Sequence, residues 1–219
     1  MLSIAVGSRG AVMLSRELGC LFIHIPKNGG TSIEDAIWPD RSNRTADQYW
    51  KNPELNRHQK EGLHHLTAAQ IRSEIGVETF DRMFKFSLVR NPWDKAVSQF
   101  LYTKTWRRDL RKILGLTCFM SFRSYLKAIQ RVDHPQWRAQ HLFIDDHNGS
   151  LLVDHVGRFE QIREEFTHVS KRIGLANVAL PHSKKSIRKA DYRDYYTPET
   201  RNMVWTIYRT DIERFGYEF

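Results

Sequence analysis

Two short stretches combine backbone freedom, positive charge and hydroxyl donors in the way an anion site requires. The first, Pro-Lys-Asn-Gly-Gly-Thr-Ser at 26–32, directly follows the apolar run 20–25. Gly29 and Gly30 carry no Cβ, so the backbone can turn sharply and bring its N–H groups against an anion. Those N–H groups, with the dipole of the helix that follows, make a phosphate cradle. Thr31 and Ser32 add hydroxyl donors, and Lys27 adds a mobile ammonium. Lys27 precedes the glycine pair, the reverse of the Walker A order, which weakens a kinase reading. An ordinary Gly-Gly turn ahead of a capped helix is the plain alternative. It leaves the company of Lys, Thr and Ser unexplained.

The second stretch runs from Phe84 to Ser98 and reads FKFSLVRNPWDKAVS. Arg90 falls at the end of an apolar strand pattern and Ser98 two turns into the helix beyond it. A guanidinium fork and a hydroxyl donor from opposite sides of such a junction can grip one phosphate. Taken alone, the stretch is equally a well-capped helix start, with Asn91 as N-cap, Pro92 at the first position and Trp93 in the core.

The elements around these stretches alternate. Strands are expected at 20–25, 84–89 and 151–156, the first two leading directly into the stretches above. Thr31 with Glu34 reads as a capping box for a helix to about Trp38, and Thr67 with Gln70 as a second, for a helix over 67–75 stopped by Gly76. Further helices are expected from Asn91 to about Tyr102, over 119–130 and over 159–173, closed by Gly174. A last helix opens at Thr197-Pro198 and carries Val204, Ile207, Tyr208, Ile212 and Phe215 on its apolar side. Residues 39–62 read as a polar loop. With no repeat and no linker, the pattern predicts an α/β fold over 1–219, a single P-loop-like domain with a central parallel β-sheet flanked by helices. Residues 1–18 are expected to be a loosely ordered extension, with Met13 as a second candidate start.

Composition narrows the class. The 219 residues are 41% hydrophobic and 27% charged, as in globular chains, and no apolar run approaches the ~20 residues that cross a bilayer. Two cysteines, Cys20 and Cys118, give neither a disulfide framework nor metal-ligand spacing, and no secretory signal opens the chain, so a cytoplasmic protein is expected. The net charge of +9 favours an anionic ligand. A basic nucleic-acid-binding module would share that charge, but the aromatics recur at core spacings and no nucleic-acid motif is present. Lys104, Arg107, Arg108, Arg111 and Lys112 form a basic helix, either a solvated face or a surface for an acidic glycan or an anionic lipid-linked sugar.

The stretch FIHIPKNGGTSIE (Phe22–Glu34) resembles the 5′-phosphosulfate loop of sulfotransferases that use 3′-phosphoadenosine 5′-phosphosulfate (PAPS), and LVRNPWDKAVSQFLY (Leu88–Tyr102) resembles their 3′-phosphate motif. The likeness continues through VGRFEQI (Val156–Ile162) and the final YRDYYTPETRNMVWTIYRTDIERFGYEF, and is greatest to the carbohydrate-type branch with heparan and chondroitin sulfotransferases. The resemblance implies a metal-free sulfuryl transfer to a hydroxyl acceptor, a saccharide or glycolipid, with the bisphosphate PAP as product. It implies that Lys27, Asn28, Gly29, Gly30, Thr31 and Ser32 hold the 5′-phosphosulfate and Arg90 and Ser98 the 3′-phosphate. Ser186, in SKKSIR, falls where such enzymes close a loop over the nucleotide. Lys27 would stabilise the leaving oxygen, and His65, two residues before the capping Thr67, would be the general base, with His64 in reserve and Glu61 as another choice. His24 is expected to be a core residue. Neither a nucleic-acid partner nor a transmembrane segment is expected, while peripheral membrane contact stays open. A P-loop nucleotide kinase is the enzymatic alternative.

Overall fold

The computed structural model describes residues 14–39, 65–175, 178–181 and 191–219. Four strands form one sheet in the order β1-β2-β3-β4. Strand β2 (Cys20–Ile23) lies parallel to β3 (Phe84–Val89), with Phe22 opposite Phe86, and β3 lies parallel to β4 (His155–Arg158). The edge strand β1 (Leu14–Ser15) runs antiparallel to β2, so the sheet is mixed rather than wholly parallel. Leu14 and Ser15 thereby belong to the sheet, in place of the loose extension expected through residue 18.

Side chains alternate across the strands, and each face meets its own helices. On one face Cys20, Phe22, Phe86 and Leu88 pack against Ile33, Ala36 and Ile37 of α1 (Gly30–Ile37) and Phe166 and Val169 of α8 (Ile162–Arg172). The Phe22 and Phe86 rings stack at 5.0 Å. On the other face Leu21, Ile23 and Val89 join the larger core. That core takes residues from α2 (Ala68–Ile75), α3 (Val77–Arg82), α4 (Pro92–Trp106), α5 (Arg108–Ile113), α6 (Phe122–Ile129), α7 (His141–Ile144), α9 (Pro198–Ile207) and α10 (Arg209–Phe215). The expected α/β architecture is present. Burial drives the Cys20 thiol up to about 12, as befits a small core residue.

Several boundaries differ from expectation for local reasons. Gly29, at φ 80°, is the N-cap of α1, so the helix starts one residue before Thr31 and the Thr31–Glu34 box does not form. The Thr67–Gln70 box does form, with both reciprocal bonds, and Gly76 ends α2. The strand expected at 151–156 begins only at His155. The Asp146 carboxylate accepts the N–H groups of Asn148 and Ser150 and ties 146–150 into a turn, leaving Leu151 only an isolated bridge to Asp145. Ser121 caps α6, which delays the helix expected from 119. The C-terminal helix divides at Tyr208, whose hydroxyl donates to the Trp137 carbonyl. Helix α4 runs a turn past Tyr102, to Trp106.

Candidate functional site

Strands β2 and β3 are adjacent and parallel, so the loops leaving their C-terminal ends are neighbours. In the first loop Lys27 has φ 68°, the one positive φ of a non-glycine among the described residues, and Gly29 follows at φ 80°. A left-handed non-glycine costs roughly 1–2 kcal/mol and persists only where surroundings impose it. Here Arg90 Nη1 donates to the Lys27 carbonyl at 2.7 Å. Asn28 is buried and its Nδ2 donates to Leu88 O and Gln140 Oε1, both at 2.7 Å. Its side chain thus anchors the loop to β3, and what Asn28 can turn to an anion is its backbone N–H. The glycines are crowded from below. A Cβ on Gly29 would lie 2.5 Å from Ile162 Cδ1, and one on Gly30 would lie 2.0 Å from His24 Nε2. No side chain caps α1 and its first turn holds no acid, while Thr31 and Ser32 stand half-buried there. That is the geometry in which a helix start can receive an anion.

At the second junction Asn91 caps α4 through Trp93 N and Asp94 N, with Pro92 at the first position. Arg90, 5% exposed, donates from Nε (2.9 Å) and Nη2 (2.7 Å) to Asp94 Oδ2, and its guanidinium lies 4.1 Å from the Phe159 ring centroid. Together with the bond to Lys27 these use three of the five N–H donors an arginine carries. Asp94, Ser98 and Tyr102 recur every four residues and line one stripe of α4. Asp94 grips Arg90 at one end of the stripe, and at the other Lys27 Nζ stands 4.1 Å from the Tyr102 ring. Ser98, buried at 6% exposure, sits between them. The two junctions therefore form one continuous patch.

Gln140 joins them a second time, and nothing in the sequence singled it out. Fully buried ahead of α7, its Oε1 accepts from Arg90 N (2.8 Å) and Asn28 Nδ2, while its Nε2 donates to Arg90 O (2.8 Å). Asp211 on α10 accepts the Gln140 N–H at 2.6 Å and holds the turn in place. Glu160 does the same from the β4 side, accepting from Asn91 N (2.7 Å) and the Tyr217 hydroxyl (3.1 Å). A lone glutamine 50 residues from its partner leaves no local signal. Gln140→Ala strands the buried Arg90 N–H and C=O and is expected to cost about 3–5 kcal/mol. An unchanged urea midpoint would show that these bonds do not hold the junctions.

His65 lies beside the same loop. Its Nδ1 is 3.2 Å from the His24 carbonyl, and the two rings meet edge-on at 4.7 Å. A carbonyl only accepts, so Nδ1 carries a proton, and in the neutral form of the ring Nε2 would be the basic atom. His24 in turn places Nδ1 2.7 Å from Glu34 Oε1 and its ring under Gly30. Glu34, expected in a capping box, thus faces His24 instead. His64, Glu61 and Ser186 lie outside the described residues.

Lys95 on α4 is buried near Arg90. Burial lowers its ammonium pKa to about 8, with Asp211 opposing and Arg90 assisting the shift. Because the folded value lies below the unfolded one, the burial penalty is full below about pH 8 and disappears as pH rises toward 10.5. The stability advantage of Lys95→Met over the parent should therefore shrink by roughly 3 kcal/mol between neutral and strongly alkaline pH. Parallel stability–pH curves for the two proteins would contradict this.

A family model described as "Sulfotransferase family" matches residues 11–218. An uncharacterized protein of Archaeoglobus fulgidus is 30% identical over 113 residues, covering 50% of this chain and 83% of its own. No solved structure matches.

Proposed function

The chain belongs to the sulfotransferase family, and from that premise we propose that it transfers a sulfuryl group from PAPS to the hydroxyl of a saccharide or glycolipid. The observation that carries the reading is the 2.7 Å bond from Arg90 to the Lys27 carbonyl, which makes neighbours of the two anion-binding junctions. A nucleotide phosphorylated at both ends of its ribose is the ligand such a pair suits. The start of α1 fits one phosphate end, being glycine-capped, free of acids in its first turn and flanked by Thr31 and Ser32.

In this reading the N–H groups of Asn28, Gly29, Gly30 and Thr31, with the Ser32 hydroxyl, hold the 5′-phosphosulfate. Arg90 and Ser98 hold the 3′-phosphate. PAPS supplies an activated sulfur whose bridging oxygen leaves as a phosphate oxygen. Lys27 swings from Tyr102 to that oxygen and neutralises its growing charge. His65 Nε2 takes the proton of the acceptor hydroxyl as that oxygen attacks sulfur. Positioning and charge stabilisation do the work, as in phosphoryl transfer, without a required metal.

Thermal unfolding with chelator present tests the reading. Adenosine 3′,5′-bisphosphate at a hundredfold excess over its Kd should raise Tm by about 5–10 °C. A larger rise with ATP and magnesium would favour a kinase instead.

A further inference from the structure

The segment that leaves Tyr102 is built differently from the rest of the surface. Trp106 is 70% exposed and Phe119 89%, the two most exposed large apolar side chains among the described residues, and Ile113 between them is 47% exposed. Lys104, Arg107, Arg108, Arg111 and Lys112 lie in the same stretch of chain, with Asp109 the one acid from 104 to 112, and Arg108 and Lys112 are exposed. Asp109 is already held by Arg107, whose Nε donates to it at 2.9 Å. The local excess is therefore strongly cationic.

The segment is ordered. Leu110 and Leu114 bury one side of α5 in the core and leave Arg108, Lys112 and Ile113 outward. Gly115, at φ 65°, then reverses the chain, with Leu116 N donating to Arg111 O at 2.8 Å. Met120, 5% exposed, pins the far end, while Thr117 accepts the Phe119 N–H through its hydroxyl at 3.3 Å. Phe119 is thus held out on a short fixed turn. Exposed aromatics and exposed cations in one short segment fit an interface where rings enter the headgroup layer and cations meet anionic lipid. No helix among the described residues is long and apolar enough to cross a membrane, so the contact would be peripheral.

We propose that the 104–119 segment docks this protein onto an anionic bilayer surface. The proposal goes beyond sulfuryl transfer and does not depend on it. The patch does begin one turn past Tyr102, which Arg107 Nη1 contacts at 3.3 Å and over which Lys27 stands, so docking brings the Lys27 loop near the headgroups.

Co-sedimentation with phosphatidylcholine vesicles, with and without phosphatidylserine, tests it. The parent should sediment with the serine-containing vesicles and be released by added salt. Trp106→Ser with Phe119→Ser should weaken binding at least about tenfold. Arg108→Ser with Lys112→Ser should weaken it about 25-fold, fivefold for each cation. Trp205→Ser, a control at an exposed ring elsewhere, should sediment like the parent. Binding that survives both double substitutions, failure of the parent to sediment, or equal binding to pure phosphatidylcholine would overturn the proposal. The thermal shift with adenosine 3′,5′-bisphosphate, measured on the same variants, should match the parent. Its absence in every protein would count against the nucleotide reading and leave the docking result standing.

Discussion

Alanine at position 27 should reduce turnover 10²–10³-fold while leaving the Kd for adenosine 3′,5′-bisphosphate within about tenfold of the parent. The separation follows from what Lys27 does with each of its parts. Its backbone shapes the loop, at φ 68° and with its carbonyl bonded to Arg90, and alanine keeps that carbonyl. Its ammonium rests on the Tyr102 ring at 4.1 Å, a weak cation–π contact it can leave when a stronger negative charge develops nearby. In the product nucleotide the sulfuryl group is gone, so binding depends little on the ammonium. In the transition state the bridging oxygen gathers charge, and the ammonium then contributes most. Equal losses in turnover and nucleotide affinity would reduce Lys27 to a binding group.

Asparagine at position 65 should lower turnover 10²–10⁴-fold with nucleotide affinity unchanged. Asparagine is the informative replacement because its amide can still donate to the His24 carbonyl, which His65 Nδ1 meets at 3.2 Å. The buried position then keeps a partner, and only the basic Nε2 is lost. Stability measured in parallel separates the two effects: a folded, nucleotide-binding and inactive enzyme is the expected result. Full activity would pass the base role to another group, and a fall in stability matching the fall in activity would make His65 structural.

Legibility in the sequence followed the range of the interactions. The strand–Gly-Gly–helix and strand–Arg-Asn-Pro–helix junctions are written within a few consecutive residues, and the chain builds a strand, turn and helix at both. The Thr67 box was legible for the same reason. The Thr31–Glu34 box misled because two codes overlap there. Gly29 takes the cap in a left-handed turn, and Glu34 is drawn to His24, which sequence spacing alone does not reveal. What binds the junctions to each other is long-range. Gln140 reaches residues 28 and 90, Glu160 reaches 91 and 217, and Phe159 lies over Arg90. From the sequence, Gly29 and Gly30 read as a sharp turn that brings backbone N–H groups to an anion. The structure adds a second reason for them, since Ile162 and His24 occupy the space a Cβ would need.

That one nucleotide spans both junctions is tested most directly by titrating the parent protein with adenosine 3′,5′-bisphosphate and with adenosine 5′-monophosphate. If Arg90 and Ser98 grip the second phosphate, the bisphosphate should bind at least about thirtyfold more tightly, the worth of a charge-assisted contact or two. Equal affinity for the two nucleotides would mean that the Arg90 junction, bonded though it is to Lys27, holds no phosphate.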